Sequence, residues 1–170
     1  MGTGPIEPEV ESGFDPNDVM VIAALLSAGA GAIHAAVINE HLREWWLYGL
    51  FFAVSAAAQL VWSVLVLRRP SRPILIAGAV GNVAVVLTWL ITRTTGLPFG
   101  PEPSTPEAFG WLDVVAASFE VLLVVSIVML LWRGRLPAQV RVHPERPQLA
   151  VFMGAVAAIT YLAITGGGHH

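Results

Sequence analysis

The stretch 111–132, WLDVVAASFEVLLVVSIVMLLW, runs 22 residues with only two charges, Asp113 and Glu120. At about 1.5 Å per residue, a helix of that length crosses the roughly 30 Å hydrocarbon core of a bilayer. Trp111 and Trp132 bracket it, as tryptophans do at headgroup level. Asp113 and Glu120 are seven residues apart, two helical turns, and so share a face. Glu120 falls about 13 Å along the helix from Trp111, close to the bilayer midplane. An ionisable group there costs at least ~2.5 kcal/mol on insertion scales, so it must face a partner, water or the interior of a bundle.

Composition agrees with lipid as the main solvent. The chain of 170 residues is 55% hydrophobic and 12% charged, about half the charge of a soluble domain, and its mean hydropathy is +0.69. It has no cysteine, which excludes disulfides, thiolate zinc sites, iron–sulfur clusters and thiol nucleophiles. All nine basic residues are arginine, which together with the Ala, Val, Leu and Pro content points to a GC-rich genome. A net charge of −3 and an isoelectric point near 5.9 leave no nucleic-acid footprint.

Four more apolar segments accompany 111–132, at 19–38, 45–67, 74–92 and 149–165. The first four segments in chain order suit spanning helices, and the last is at the short limit. None alternates in polarity, which removes a β-barrel. The expected fold is all-α: a polytopic membrane bundle of five transmembrane helices over 19–165. Arg68, Arg69, Arg72, Arg133, Arg135, Arg141 and Arg146 fall on one side, Arg43 and Arg93 on the other. By the positive-inside rule the first side is cytoplasmic, which puts the N-terminus inside and the C-terminus outside, in the plasma (inner) membrane of a bacterium. Residues 1–18 are acidic and rich in proline and glycine, and read as a disordered cytoplasmic tail. Asp15 is placed to cap the first helix, with Pro16 in its first turn. The tail lacks the positive flank of a signal peptide, so the first span is expected to be retained. Residues 166–170 form a C-terminal tail, and His169 and His170 are left out of the site because a purification tag leaves the same residues.

Small residues give helices close approach in lipid: Ser27 to Gly31 in the first span, Gly78 and Gly81 in the third. Gln59 and Asn82 are intramembrane polar residues, for which hydrogen bonding between helices is the plain reading and a pathway role the other. Trp45, Trp46, Trp89 and Trp111 belong to the outer boundary.

On the outer half, His34 and His41 repeat the seven-residue spacing of Asp113 and Glu120. If the first helix continues beyond Asn39, both histidines point the same way. Two imidazoles and two carboxylates on two helices make a donor set for Zn, Fe, Mn or Cu, and a cation would offset the charge of Glu120. Glu40 could add an oxygen from the outer face, although it points about 100° from His41 on a helix. The alternatives are a neutral His34 bonded within the bundle, a protonated Glu120 or one paired with His34 or Arg93, and a solvated loop for His41, Glu40 and Glu44. No HExxH or Glu-x-x-His pair is present. The outer loop 93–110 is stiffened by prolines. Leu97 and Phe99 within it could fold back as a lid over the outer end of the bundle, with a plain stiff connector the equal alternative, and Thr105-Pro106-Glu107 reads as the start of a short helix.

The run 40–52 (EHLREWWLYGLFF) together with 92–101 (TRTTGLPFGP) resembles a group of small multi-pass membrane proteins of GC-rich bacteria, uncharacterised in function, over about residues 20–132. The resemblance implies no activity, cofactor or residue role, and directs attention to the outer-face loops.

Three functions compete: a metal- or haem-binding membrane protein, an assembly subunit of a homo-oligomer or larger membrane complex, and a small oligomeric proton-linked transporter. No nucleophile–base spacing supports an embedded enzyme.

Overall fold

The computed structural model describes residues 15–134, 136, 137, 139–141 and 147–166. Most of the acidic tail, part of the connection before the last helix, and the terminal histidines lie outside the described residues. Five helices follow in order: α1 (Pro16–Glu44), α2 (Trp46–Arg68), α3 (Arg72–Thr94), α4 (Trp111–Arg133) and α5 (Pro147–Gly166). The first four are long and apolar enough to cross a membrane, with mean hydropathies of 2.1 to 2.7; the apolar part of α5, Leu149–Thr165, is shorter.

Local chemistry sets the helix ends. Asp15 accepts a hydrogen bond from the Asn17 backbone N–H at 2.9 Å, and Pro16 follows it in the first turn, where a missing N–H costs nothing. Gly134 closes α4 in a left-handed conformation with φ 66°. The first helix runs past the expected boundary at Ile38 to Glu44. The segment 39–44 is therefore two more turns of helix rather than a loop, and Trp45 alone separates α1 from α2. Hydropathy ends at Ile38, but the polar residues beyond it are compatible with helix, so hydrogen bonding continues.

Helices α1 to α4 form a ring in which each packs on the next and α4 closes onto α1, while the backbones of α1 and α3 stay apart across the ring. Helix α5 docks on α1 and α4 from outside. Close approach of α1 depends on its glycines. A Cβ on Gly29 would meet the Phe119 ring at 2.8 Å, and one on Gly31 would meet Leu60 at 3.1 Å and the Ala56 carbonyl at 3.3 Å. The small-residue face is thus consumed inside the bundle.

The two ends of the ring differ. At the arginine-rich end, Met20, Val66, Leu75 and Ile127 are fully buried and plug the interior. Trp62 belongs to this core: its indole N–H donates to the Ile74 carbonyl at 2.7 Å, and its ring lies over Gly78. The tryptophan-rich end is not filled by side chains. There the space between α1 and α3 stays open, and Trp46, Trp111 and, at the opposite end, Trp132 point outward.

Candidate functional site

Four side chains, one from each ring helix, meet at mid-depth. His34 (α1) sits with Nε2 2.9 Å from Glu120 Oε1 (α4). Gln59 (α2) donates from Nε2 to the same carboxylate oxygen at 2.7 Å and to Asn82 Oδ1 (α3) at 3.1 Å. Asn82 in turn donates to the Gly78 carbonyl one turn back at 2.8 Å. The Ser27 hydroxyl, on α1, donates to the Gln59 backbone carbonyl at 2.9 Å. All four network members are buried, Glu120 to 1% exposure. The side-chain oxygen of Gln59 is buried with no partner. In an apolar surround, hydrogen bonds of this kind hold helices in one register because the alternative is an unpaired polar group.

A second cluster lies about 10 Å further along α4, two turns toward the tryptophan-rich end. Arg93 Nη2 reaches Asp113 Oδ2 at 2.5 Å, and Nη1 donates to Glu107. The Arg93 side chain is 7% exposed, Asp113 25% and Glu107 48%. Asp113 also accepts from the Gly110 N–H at 3.3 Å and so fixes the start of α4.

The expected donor set therefore divides. His34 and Glu120 come together; Asp113 is held by Arg93; His41 turns its Nδ1 back to the Val37 carbonyl of its own helix at 2.9 Å and stacks on Phe52 with centroids 4.0 Å apart. Glu40 is exposed. Among the described residues no group of three or more His, Asp or Glu side chains is placed to hold a metal ion. The physical reason is competition: each of His41 and Asp113 has a nearer partner than an ion between helices. Glu120 takes His34 and not Arg93 as its partner. No helix forms at Thr105; the Glu107 N–H donates instead to the Thr92 carbonyl at 2.9 Å, which ties the loop to the end of α3.

Above the network lies a cavity of about 580 Å³ between α1 and α3, with Glu120 and His34 in its wall. Tyr48, Phe51, Phe52 and Trp89 supply aromatic surface, and Leu97 and Phe99 from the α3–α4 loop reach in from the end. Phe99 rests on Trp45 at 6.1 Å between centroids. Gly100, with φ 111°, leaves room for the Tyr48 hydroxyl, which a Cβ would meet at 2.5 Å. A second cavity of about 740 Å³ lies beyond, between the loop and the ends of α1 and α4, and shares His41, Tyr48, Arg93 and Asp113 with the first. Glu120, Gln59, Asn82 and Arg93 had signals in the sequence. The aromatic chamber and Trp62 had none, since both depend on which helices face each other. No protein-family model, curated protein or solved structure matches the chain.

Proposed function

We propose that this is a five-span protein of the bacterial plasma membrane, N-terminus cytoplasmic and C-terminus outside, that binds a small ligand in the outer half of its bundle. The His34–Glu120 pair is the polar anchor of that site. The observation carrying this reading is that the buried pair borders a cavity which continues toward the tryptophan-rich end, while the arginine-rich end is plugged. Intramembrane ionisable groups are expensive, and one that borders an open chamber is suited to use rather than to packing alone. The same geometry, a carboxylate and an imidazole in hydrogen-bond contact beside a chamber, also suits a proton-linked carrier. The assembly reading has less support, because Gly29, Gly31 and Gly78 are spent within the chain and, of the glycines named within the spans, Gly81 alone is left open.

The test is chemical access to Glu120. Dicyclohexylcarbodiimide is apolar and modifies protonated carboxyls within membranes. Treated in native membranes from neutral to mildly acidic pH, so that a charged carboxylate is brought into the protonated form the reagent needs, Glu120 is expected to be modified, as read by peptide mass. Absence of modification there, when the unfolded chain is modified at the same residue, would make the pair structural and overturn the reading.

A further inference from the structure

Charge and surface chemistry along the two joined cavities narrow the ligand. Glu40, Glu44, Glu102, Glu107 and Asp113 line the outer vestibule, and Arg93 is the one arginine lining it among the described residues. That arginine is already bound to two of the five carboxylates. The vestibule therefore carries an excess of negative charge beside low-dielectric walls, an arrangement that concentrates cations. Beyond Arg93 the chamber wall is mostly apolar, with Tyr48, Phe51, Phe52, Trp89 and Phe99 around it and Glu120 at its inner end.

Each feature removes a class of ligand. An anion would meet like charge at the mouth and again at Glu120. An inorganic cation would lose its water shell against apolar walls, with too few oxygen or nitrogen donors to replace it. A cation carrying its own apolar coat meets none of these costs. Ring faces attract it, the carboxylate balances its charge, and the apolar body fills the chamber. We propose that the chamber between α1 and α3 binds a hydrophobic organic cation, an amine or quaternary onium, drawn in through the acidic vestibule and held with its charge toward Glu120. This deepens the ligand-binding reading above and rests on it.

The test uses the full chain in detergent and two probes of matched shape and opposite charge, tetraphenylphosphonium and tetraphenylborate. Saturable binding of the phosphonium, one per chain, is expected, with tetraphenylborate at least tenfold weaker. Glu120→Gln should weaken the phosphonium at least tenfold, and Phe52→Ala several-fold. Replacing Glu40 and Glu44 together by glutamine, at exposed positions away from the network, should slow association and flatten its salt dependence. Equal binding of the two probes, or unchanged phosphonium affinity in a folded Glu120→Gln protein, would overturn the proposal. Should Glu120→Gln fail to fold, unchanged affinity in both Phe52→Ala and the Glu40/Glu44 variant overturns it instead. Carbodiimide separates this failure from that of the broader reading. If Glu120 is modified but the phosphonium gives no protection, the site stands and the cation falls; if Glu120 is not modified even at mildly acidic pH, both fall.

Discussion

His34 and Glu120, 86 positions apart in the chain, meet at 2.9 Å in the middle of the bundle and join α1 to α4. Glu120 Oε1 accepts from Gln59 as well, so one oxygen atom connects three helices, and Asn82 adds the fourth. The insertion cost of the carboxylate is offset by this set, and each member depends on the others for its partner.

Truncating the pair should show that dependence. Glu120→Ala removes the acceptor of two buried donors and should destabilise the protein by about 2–4 kcal/mol. Glu120→Gln keeps the shape and one acceptor and should cost about 1 kcal/mol. His34→Ala combined with Glu120→Ala should cost less than the two single losses added together. Unfolding in mixed micelles measures all four proteins; strict additivity would mean that the pair is not coupled.

How much of this was legible in the sequence depends on the kind of interaction. Glu120 stood out because a carboxylate in an apolar helix is costly wherever the helix packs. Gln59 and Asn82 stood out for a weaker version of the same reason. The choice of His34 over Arg93 as partner was not legible, since it follows from α1 lying against α4 through Gly29 and Phe119. His41 shared the face and spacing of His34, yet its own helix supplies a carbonyl four residues back, which no spacing rule weighs against a distant ion. The chamber was the least legible feature: it is a place where α1 and α3 fail to meet, and residue patterns record contacts better than gaps.

Trp62 and Gly78 give a packing test. Alanine at Gly78 would drive a methyl into the Trp62 indole, a ring also held by its N–H bond to Ile74. The expected cost is about 1–3 kcal/mol, with disturbed tryptophan fluorescence. Gly81, one turn on, has nothing within 4 Å of the same added atom. Gly81→Ala should be neutral or stabilising by up to about 1 kcal/mol, because alanine is the better helix former. Equal loss at both positions would refute the Trp62 contact as the cause.

The two partners of Arg93 should differ in weight. Glu107 is half exposed and its pairing is screened, so Glu107→Gln should cost no more than about 0.5 kcal/mol. Asp113 is more buried and also accepts the Gly110 N–H at the start of α4. Asp113→Asn should cost about 1–2 kcal/mol, roughly the upper end for a charge-assisted bond joined to a cap. Proteolysis within the 97–106 loop should rise with Asp113→Asn more than with Glu107→Gln. The reverse order would assign the anchoring of the loop to Glu107.

Threading through the membrane is testable directly because the chain has no cysteine to remove. Ser71 lies in the turn between α2 and α3, beside Arg69 and Arg72, and Ser104 lies in the exposed α3–α4 loop. With the arginine-rich end cytoplasmic, a membrane-impermeant maleimide added to intact cells should label Ser104→Cys and leave Ser71→Cys unlabelled until the cells are permeabilised. Thr165→Cys, in the last turn of α5, adds the fifth span to the test. If α5 crosses, that cysteine reacts from outside together with Ser104→Cys; if α5 lies in the inner interface, it reacts only after permeabilisation. Labelling of Ser71→Cys in intact cells would invert the protein, and the acidic vestibule would then sample the cytoplasm rather than the exterior.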